Sequence, residues 1–413
     1  MRSLIVTNMY PTPTVPGTGT FVADQVESLR GLGVHVDLMH LTRQDGGRRV
    51  YRDLSRRVKN AVDATQPDVV HVMYGGVMAD ITTRAARERP VVVSFCGTDL
   101  LGGRTVGKVS QLALRYGVFA SRRAARRASA IVVKSRNLFD ALPRSVDRSR
   151  VWIIPNGIDL SRFRPRDRAE CQRELGWDQS RKHVLFPAVP TRPEKRFALA
   201  QAAVAVLNGA ATVELHALSG VPHDEVPVWM NAADAVVLTS AHEGSPNAVK
   251  EALACNVPVV SVDVGDVRDR LEGIEGCFLA EATPEDLAAK LALVFERSSR
   301  IEAREHLVEL SLGRVAERLR DIYQLVSCQT HDDLPSASCH GWARTPGVGN
   351  GPQRARCWTR VPQPSGAVPR AGRSSAPTRA TCAHGRLTRM TRGSPPAALS
   401  RTPESRDARA RRR

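Results

Sequence analysis

The chain has 413 residues, 42% of them hydrophobic, so it is long enough to form two domains with apolar cores. Its formal net charge is +18, but residues 328–413 hold 16 Arg, no Lys and 4 acidic residues, which leaves the rest of the chain at only +6. The charge therefore gives little support to nucleic-acid binding, and without an apolar run of about 18 residues we predict no transmembrane helix.

The cysteines and the N-terminal residues indicate the compartment. Four of the eight cysteines lie in the C-terminal segment, and Cys96, Cys171, Cys255 and Cys277 have no CxxC spacing. This pattern is typical of reduced thiols rather than of a metal site or a disulfide framework. Residues 1–9 are too short an apolar run for a secretory signal, so we expect a cytoplasmic protein whose first strand starts there.

Short aliphatic runs alternate with helical patterns, which predicts a parallel α/β architecture because buried parallel strands are continuously aliphatic. The runs fall into two groups, so we predict two doubly wound sheets with a joint near residues 155–180. The predicted strands are Leu4–Thr7, Val34–Met39, Val69–Val72, Val91–Phe95, Ala130–Val133 and Val151–Ile154 in the first sheet, and Val184–Pro187, Val213–Leu218, Ala235–Thr239, Val257–Val262 and Gly276–Leu279 in the second.

The chain changes character near residue 326. Before this point, Arg314–Val326 has the apolar periodicity of a closing helix. Beyond it Pro, Gly, Ser, Thr and Arg dominate, a composition that cannot bury enough apolar area to offset its ordering entropy. We therefore predict Rossmann-like domains over 1–160 and 161–312, a closing helix over 313–326 and a disordered tail over 327–413. A functional basic tail and a frame-shifted extension are the alternatives for that tail.

The most specific pattern is the segment HEGSPNAVKEAL at residues 242–253, directly after a predicted strand. Ser245 suits an N-cap and Pro246 the first helical position, so we predict strand, tight loop and helix. Helix N-termini at the carboxyl edge of an open α/β sheet attract phosphates and other ligands. Glu243 and Glu251 would then accept hydrogen bonds from sugar and ribose hydroxyls.

A basic loop, PTRPEKR at residues 190–196, follows the first predicted strand of the second sheet. Cations at this edge can neutralise a diphosphate and stabilise the negative charge that develops on a leaving group. A basic loop alone is more often a solvated turn. Because it lies in the same sheet as the two glutamates, we interpret Arg192 and Lys195 as anion ligands.

Two weaker patterns follow strands of the first sheet. The loop PGTGTF at residues 16–21 contains Gly17 and Gly19, which let a backbone approach a ligand closely, but it is not the GxGxxG of dinucleotide-binding proteins. The segment SFCGTD at residues 94–99 ends in Asp99. We expect Asp99 either on the cleft side of the first domain or as the cap of a following helix or turn.

Together these segments resemble group 1 glycosyltransferases, the GT4 family. The segment RVWIIPNGID at residues 150–159 is similar to the interdomain segment of that family. Residues 190–196 resemble its diphosphate-binding loop, and the two glutamates, with seven residues between them, resemble its two-Glu motif. The resemblance extends from about residue 2 to residue 326, especially to bacterial members that build cell-wall or extracellular polysaccharides.

The resemblance implies a GT-B fold, with two Rossmann-like domains facing a central cleft. It implies retaining, hexosyltransferase-type transfer from a UDP- or GDP-sugar to a glycan, lipid-linked or small-molecule acceptor, with no metal and no cofactor. We assign the donor diphosphate to Arg192, Lys195, Gly17 and Gly19, the sugar and ribose to Glu243, Gly244, Ser245 and Glu251, and catalysis to Glu243 and Asp99.

The chain departs from the family pattern in two places. Many relatives carry a His before the glycine of a His-Gly-x-Asp string, where this chain has Cys96. His71 and His242 are candidates to replace that His in assisting phosphate departure, although a lone His is more often structural. The interval from Lys195 to Asp234 is short for the fold, which indicates a trimmed strand–helix unit near the base-recognition pocket.

Two other functions fit parts of the sequence. A nucleotide-sugar epimerase would share the fold, but the interdomain segment and the glutamate spacing favour transfer. A basic membrane- or polyanion-binding protein would use Arg-rich segments such as residues 122–127, RRAARR, which end a basic amphipathic helix suited to anionic lipid. A solvated surface helix is the alternative for this segment. We expect no nucleic-acid partner.

Overall fold

The computed structural model describes residues 1–15, 17–42, 47–103, 108–208, 212–297 and 299–328. These residues form two parallel sheets flanked by helices. All eleven predicted strands are present close to their predicted positions. Among the described helices, none combines the length and apolarity needed to cross a lipid bilayer.

The first sheet has six strands in the order β2-β1-β3-β4-β5-β6, all parallel. Its central strands are buried on both faces, which explains why their sequences are continuously aliphatic. The strands are β1 Arg2–Thr7, β2 His35–His40, β3 Val69–Met73, β4 Val91–Phe95, β5 Ala130–Val133 and β6 Val151–Ile153, and the helices are α1 Thr20–Gly31, α2 Leu54–Thr65, α3 Gly76–Ala85, α4 Thr98–Leu101, α5 Lys108–Arg127 and α6 Arg136–Asp140.

The second sheet has five parallel strands in the order β11-β10-β9-β7-β8, so β8 is an edge strand. One strand, β8, lies between Lys195 and Asp234, in agreement with the short interval in the sequence. The strands are β7 Lys182–Phe186, β8 Val213–Ala217, β9 Ala235–Leu238, β10 Val259–Val262 and β11 Phe278–Ala280, and the helices are α7 Arg168–Leu175, α8 Phe197–Leu207, α9 Val226–Ala232, α10 Asn247–Ala254, α11 Val267–Leu271 and α12 Pro284–Phe295.

The closing helix, α13, spans Leu312–Cys328 and packs on the first sheet. Its apolar face is buried as predicted, and the Tyr323 hydroxyl lies 2.5 Å from Nδ1 of the buried His71 on β3. The helix ends at Cys328, two residues beyond the predicted end at residue 326, and the Ser327 hydroxyl donates a hydrogen bond to the Tyr323 carbonyl at 2.8 Å. The remainder of the predicted tail, residues 329–413, lies outside the described residues.

The chain crosses between the sheets twice, and the two crossings are hydrogen-bonded to each other. The Ile158 amide donates to the Leu310 carbonyl at 2.8 Å, and the Leu312 amide donates to the Ile158 carbonyl at 3.1 Å. Gly157 allows this contact, since a Cβ there would lie 2.9 Å from the Leu312 side chain. These contacts join the two crossings where the chain passes between the sheets.

Candidate active site

The basic loop after β7 is anchored to the end of β9. Arg196 has a left-handed backbone conformation (φ 52°), and its guanidinium donates to the carbonyls of Thr239 and Ser240 at 2.5 and 3.2 Å. The Thr239 hydroxyl donates back to the Lys195 carbonyl at 2.8 Å. The Arg196 guanidinium is therefore already hydrogen-bonded within the protein, and its contacts fix the position of the neighbouring Lys195.

Lys195 and Glu243 form an ion pair across the two loops. The Lys195 Nζ lies 2.5 Å from Oε1 of Glu243, and the two side chains are only 15% and 14% exposed. The pair lies at the carboxyl edge of the second sheet, where open α/β sheets bind ligands. The structure thus places together a cation and a carboxylate that the sequence assigned separately to the donor phosphates and to the sugar.

Arg192 lies on the outer part of the same loop. Its side chain is 57% exposed, and Nη2 is 2.6 Å from Oε1 of Glu194. Helix α8 starts two residues after Lys195, so its free N–H groups add positive potential near the loop. The loop therefore offers a fixed cation, an exposed cation and a helix N-terminus to an anionic ligand.

The helix that carries Glu251 begins one residue later than predicted. Pro246 occupies the N-cap position and α10 starts at Asn247, so the prediction of Ser245 as the N-cap was wrong. The Ser245 hydroxyl instead donates to Oδ2 of Asp266 at 2.9 Å. Asp266 is buried, and burial raises the pKa of its carboxyl group. A tertiary contact thus replaces the expected local cap.

Glu251 lies in a polar cluster that the sequence did not predict. Its Oε1 is 3.9 Å from Nε2 of His223, and His223 Nδ1 is 2.9 Å from Nη1 of Arg162. Arg162 also lies 4.0 Å from Asp24, which belongs to α1 of the first domain. Burial raises the pKa of the Asp24 carboxyl group. Polar groups of both domains therefore surround the glutamate assigned to the ribose.

Asp99 caps the loop after β4. Its carboxylate accepts backbone hydrogen bonds from Gly75 at 2.8 Å, from Gly97 at 2.7 Å and from Cys96 at 3.1 Å. Burial raises the pKa of this carboxyl group, while the backbone donors act in the opposite direction. These contacts favour the capping alternative over direct contact with a substrate.

The two domains touch at Gly244. A Cβ on Gly244 would lie 2.4 Å from the Cys96 carbonyl oxygen and 3.1 Å from Cδ1 of Leu138, both in the first domain. Nearby, Nδ2 of Asn137 donates to the Glu243 carbonyl at 3.2 Å. Only glycine permits this approach, so Gly244 acts as a contact point between domains in the described structure.

The two glycines of the first loop lie apart from these contacts. Gly19 is the N-cap of α1 with φ 74°, and a Cβ there would lie 2.4 Å from the backbone of Met9. Its missing side chain is thus required by packing within its own domain. Gly17 is exposed, and a Cβ added there would meet no atom within 4 Å among the described residues. The geometry of neither glycine requires a ligand.

The two candidate histidines lie in different environments, and the assignment of His242 stays a prediction. His71 is fully buried between Tyr323 and the Ser94 hydroxyl, and burial lowers its pKa to about 3, with a further contribution from Lys134. His71 therefore has a structural role in the core of the first domain. His242 is exposed on the loop before Glu243.

Lys134 is a candidate site residue that the sequence analysis missed. It follows β5, its Nζ is buried, and this atom has no hydrogen-bond partner among the described residues. Burial lowers the pKa of its amine, while Cys96 and Asp99 act in the opposite direction. In the sequence, the signal that could have identified it is a lysine directly after an aliphatic strand. Lys250 is a second buried lysine, and its Nζ donates to the Asn156 carbonyl at 2.8 Å.

Comparison with known families covers both halves of the chain. Residues 15–162 match the family described as "Glycosyltransferase Family 4", and residues 179–297 match "Glycosyl transferases group 1". The chain is 28% identical to the teichuronic acid biosynthesis glycosyltransferase TuaC of Bacillus subtilis, over 65% of this chain and 82% of TuaC.

A second relative and a solved structure agree with these matches. The chain is 25% identical to a D-inositol 3-phosphate glycosyltransferase of Thermobispora bispora, over 45% of this chain and about half (53%) of that enzyme. The structure of HepE from Anabaena in complex with UDP and glucose superposes with a TM-score of 0.53 at 17% identity, over 80% of this chain and 99% of HepE. This likeness shows that the fold is shared.

Proposed function

The chain belongs to the group 1 glycosyltransferases of the GT4 type, and we propose that it transfers a sugar from a nucleotide diphosphate sugar with retention of the anomeric configuration and without a metal ion. The observation that carries this proposal is the Lys195–Glu243 pair at the carboxyl edge of the second sheet. At this edge, a cation that would bind the donor phosphates lies within hydrogen-bonding distance of a carboxylate that would bind the transferred sugar.

These positions support a proposal for the donor side of the reaction. Arg192, Lys195 and the N-terminus of α8 would balance the diphosphate, and no protein nucleophile is needed if the acceptor attacks from the face that the diphosphate leaves. Glu251 would accept hydrogen bonds from the ribose, and His223 lies beside it. HepE, which shares the fold, binds UDP and glucose, and this supports a UDP-sugar as the first donor to test.

We propose that Lys134 supplies the charge that the family's His would provide. An unpaired buried amine is costly, so a partner that arrives with the substrate would relieve this cost. Lys134 lies beside Cys96, the residue at the position of that His, and follows a strand that ends at the cleft. Its amine would stabilise the diphosphate as the sugar leaves.

The Lys134→Met variant tests this role, because stability and transfer activity should change in opposite directions. Because the variant removes a buried amine that has no hydrogen-bond partner among the described residues, we expect a higher melting temperature without donor and a transfer rate lower by about 10²- to 10³-fold. A residue with only a structural role would lose stability and activity together. Wild-type activity in a folded Lys134→Met protein would contradict the assigned role.

For the acceptor we propose a lipid-linked glycan at a membrane surface, in polysaccharide or cell-envelope biosynthesis. This is consistent with teichuronic acid biosynthesis, the process for which TuaC is named. Four apolar side chains on α5 are exposed: Val109 73%, Leu112 69%, Tyr116 56% and Phe119 53%. Arg115 and Arg122 are exposed on the same helix and line a cavity of about 330 Å³ with Phe119. A helix with exposed apolar and cationic side chains suits an anionic lipid surface.

Flotation with liposomes tests this surface. The full chain should float with vesicles containing anionic phospholipid, and Leu112→Ser/Phe119→Ser should reduce the bound fraction at constant melting temperature. High salt should weaken but not abolish binding, because apolar contacts remain. Equal flotation of wild type and variant would show that α5 is not the contact, and would assign any binding to another basic segment.

The donor is tested by a panel of UDP-, GDP- and ADP-sugars in a thermal-shift assay. A ligand that binds the folded state at 100 times its Kd stabilises by about 2.7 kcal/mol. We expect one nucleotide class to raise the melting temperature, with a smaller rise for Arg192→Ala and Lys195→Ala. Lys59→Ala, an exposed lysine on α2, is the control. Product analysis with the donor alone separates transfer from epimerisation. TuaC and the D-inositol 3-phosphate enzyme are both named as glycosyltransferases, which favours transfer.

A further inference from the structure

Two histidines and a glutamate meet on one face of β7 and β8, away from the donor loops. His183 is the second residue of β7, and Glu214 and His216 lie two residues apart on β8, so both point to the same face of the sheet. His183 and Glu214 are near the amino ends of their strands, whereas the donor loops follow the carboxyl ends. The cluster is therefore independent of the site described above.

The three ligand-type atoms form a compact triangle. His183 Nδ1 lies 2.9 Å from His216 Nε2, and Oε2 of Glu214 lies 3.8 Å from the first atom and 3.7 Å from the second. In a tetrahedral Zn²⁺ site with bonds of about 2.0–2.2 Å the ligand atoms lie about 3.3–3.6 Å apart, so small side-chain shifts from the observed 2.9, 3.7 and 3.8 Å would seat an ion just outside the plane of the three atoms. We propose that His183, Glu214 and His216 bind one Zn²⁺ ion, with water completing the tetrahedral coordination.

Neighbouring groups orient each ligand toward this point. His183 Nε2 lies 2.8 Å from the Asp178 carbonyl, which can only accept a hydrogen bond, so the proton lies on Nε2 and Nδ1 keeps its lone pair. Arg181 donates to Oε1 of Glu214 at 2.7 Å and leaves Oε2 available. Such outer contacts are typical of metal-binding histidines and carboxylates.

The second histidine is also held in place by its neighbours. Trp177 stacks on the His216 ring with a centroid distance of 3.6 Å and an interplanar angle of 7°. This stacking fixes the plane of the imidazole and leaves Nε2 facing the other two ligand atoms. Metal binding requires a deprotonated imidazole nitrogen, which the neutral ring supplies.

The competing arrangement is a hydrogen bond between the two imidazoles. His216 Nε2–H would then donate to His183 Nδ1, and the Glu214 oxygen would lie beyond hydrogen-bonding distance of both rings. Zinc binding needs this proton to move to the other ring nitrogen of His216 and the two imidazoles to separate slightly. Because β8 is an edge strand, the ion would hold it against β7 and stabilise the fold rather than take part in sugar transfer.

The test is a zinc titration of the full chain after treatment with a chelator. We expect one tightly bound Zn²⁺ per chain and, at 100-fold excess over Kd, a rise in melting temperature of roughly 5–10 °C. His216→Ala should weaken binding at this site by at least about 100-fold, since the loss of outer contacts alone costs 10- to 100-fold. His306→Ala, an exposed histidine, should behave like wild type.

The C-terminal segment contains further Cys and His residues, so the difference between wild type and variant decides the assignment. Glu214→Gln nearly preserves shape and serves if His216→Ala fails to fold. Co²⁺ should give the visible bands of a tetrahedral site without a thiolate charge-transfer band, and these bands should be lost in Glu214→Gln. An equal zinc response in wild type and in whichever of the two variants folds, or a Co²⁺ spectrum dominated by thiolate, would overturn the proposal.

Discussion

At the scale of single residues, the short Lys195–Glu243 contact supports the proposed role of Glu243 at the reaction centre. The pair is almost buried, so each charge influences the other more strongly than at the surface. A donor that enters the cleft would insert its phosphate near Lys195 and its sugar near Glu243. The charge of Glu243 is then more important than its shape.

We therefore expect Glu243→Gln to remove most transfer activity and to leave the fold intact. The loss of one such interaction costs about 2–4 kcal/mol, or roughly 10²- to 10³-fold in rate. Steady-state kinetics and a melting curve measure the two effects, with the exposed Glu302→Gln as the control. Wild-type turnover in a folded Glu243→Gln protein would refute the assignment.

The buried His71 makes a prediction about pH. Its pKa is lowered to about 3 in the folded state by burial, and the unfolded value is near 6.5. Between these values the unfolded state binds the extra proton, so stability is lost as the pH falls below 6.5. From pH 7 to pH 5 this loss is about 2 kcal/mol.

Urea unfolding of wild type and His71→Gln at pH 7 and pH 5 measures this contribution. The variant lacks the titrating ring, so its stability should change less between the two pH values, whatever its absolute stability is. If the two proteins lose the same free energy of unfolding, His71 does not remain neutral in the folded state.

At the scale of elements, the central strands could be predicted because each is an aliphatic run that the sheet buries on both faces, whereas the edge strands β2 and β8 carry polar residues and are only partly buried. The α13 face was also predictable, since Val315, Leu319, Ile322 and Tyr323 follow helical spacing. The start of α10 was not, because Ser245 uses its hydroxyl for Asp266, which is 21 residues away. Local cap preferences cannot include a partner that only the fold provides.

The same limit applies to the site residues. Glu243 and Lys195 were recognisable because their segments resemble family motifs. Asp24, Arg162 and His223 had no such signal, since their association with Glu251 depends on α1 of the other domain. The structural role of Asp99 depends on three backbone amides that converge on it.

The end of α13 makes a prediction about the C-terminal segment. The helix extends to Cys328, and Tyr323 and Val326 are buried against the first sheet. We expect a chain that ends after Cys328 to keep its melting temperature and its transfer activity. Parallel assays of full-length and truncated proteins check this, and loss of activity in a truncated protein that still melts cooperatively would make the segment part of the working enzyme.

At the scale of the whole molecule, Gly244 couples the position of Glu243 to the contact between domains. A Cβ at this residue would lie 2.4 Å from the Cys96 carbonyl oxygen, and a backbone atom cannot rotate away. The polar cluster of Asp24, Arg162 and Glu251 likewise requires both domains. The contacts of the cleft are therefore complete only when the domains are together.

Gly244→Ala should accordingly open the cleft without unfolding either domain. We expect kcat/KM to fall at least tenfold, or about 1.4 kcal/mol, and small-angle scattering to show a larger radius of gyration. Gly313→Ala, where an added Cβ meets nothing within 4 Å, is the matched control. Unchanged kinetics in Gly244→Ala would show that this contact is not needed for transfer.

The most direct test of the proposed reaction is the anomeric configuration of the product, followed by proton NMR with EDTA present. The wild-type enzyme is supplied with the nucleotide sugar selected by the thermal-shift panel, and water serves as acceptor if no other is known. The proposal predicts that the first-formed product keeps the donor's configuration and that EDTA does not slow its formation. An inverted product, or activity that returns only with magnesium or manganese, would contradict it.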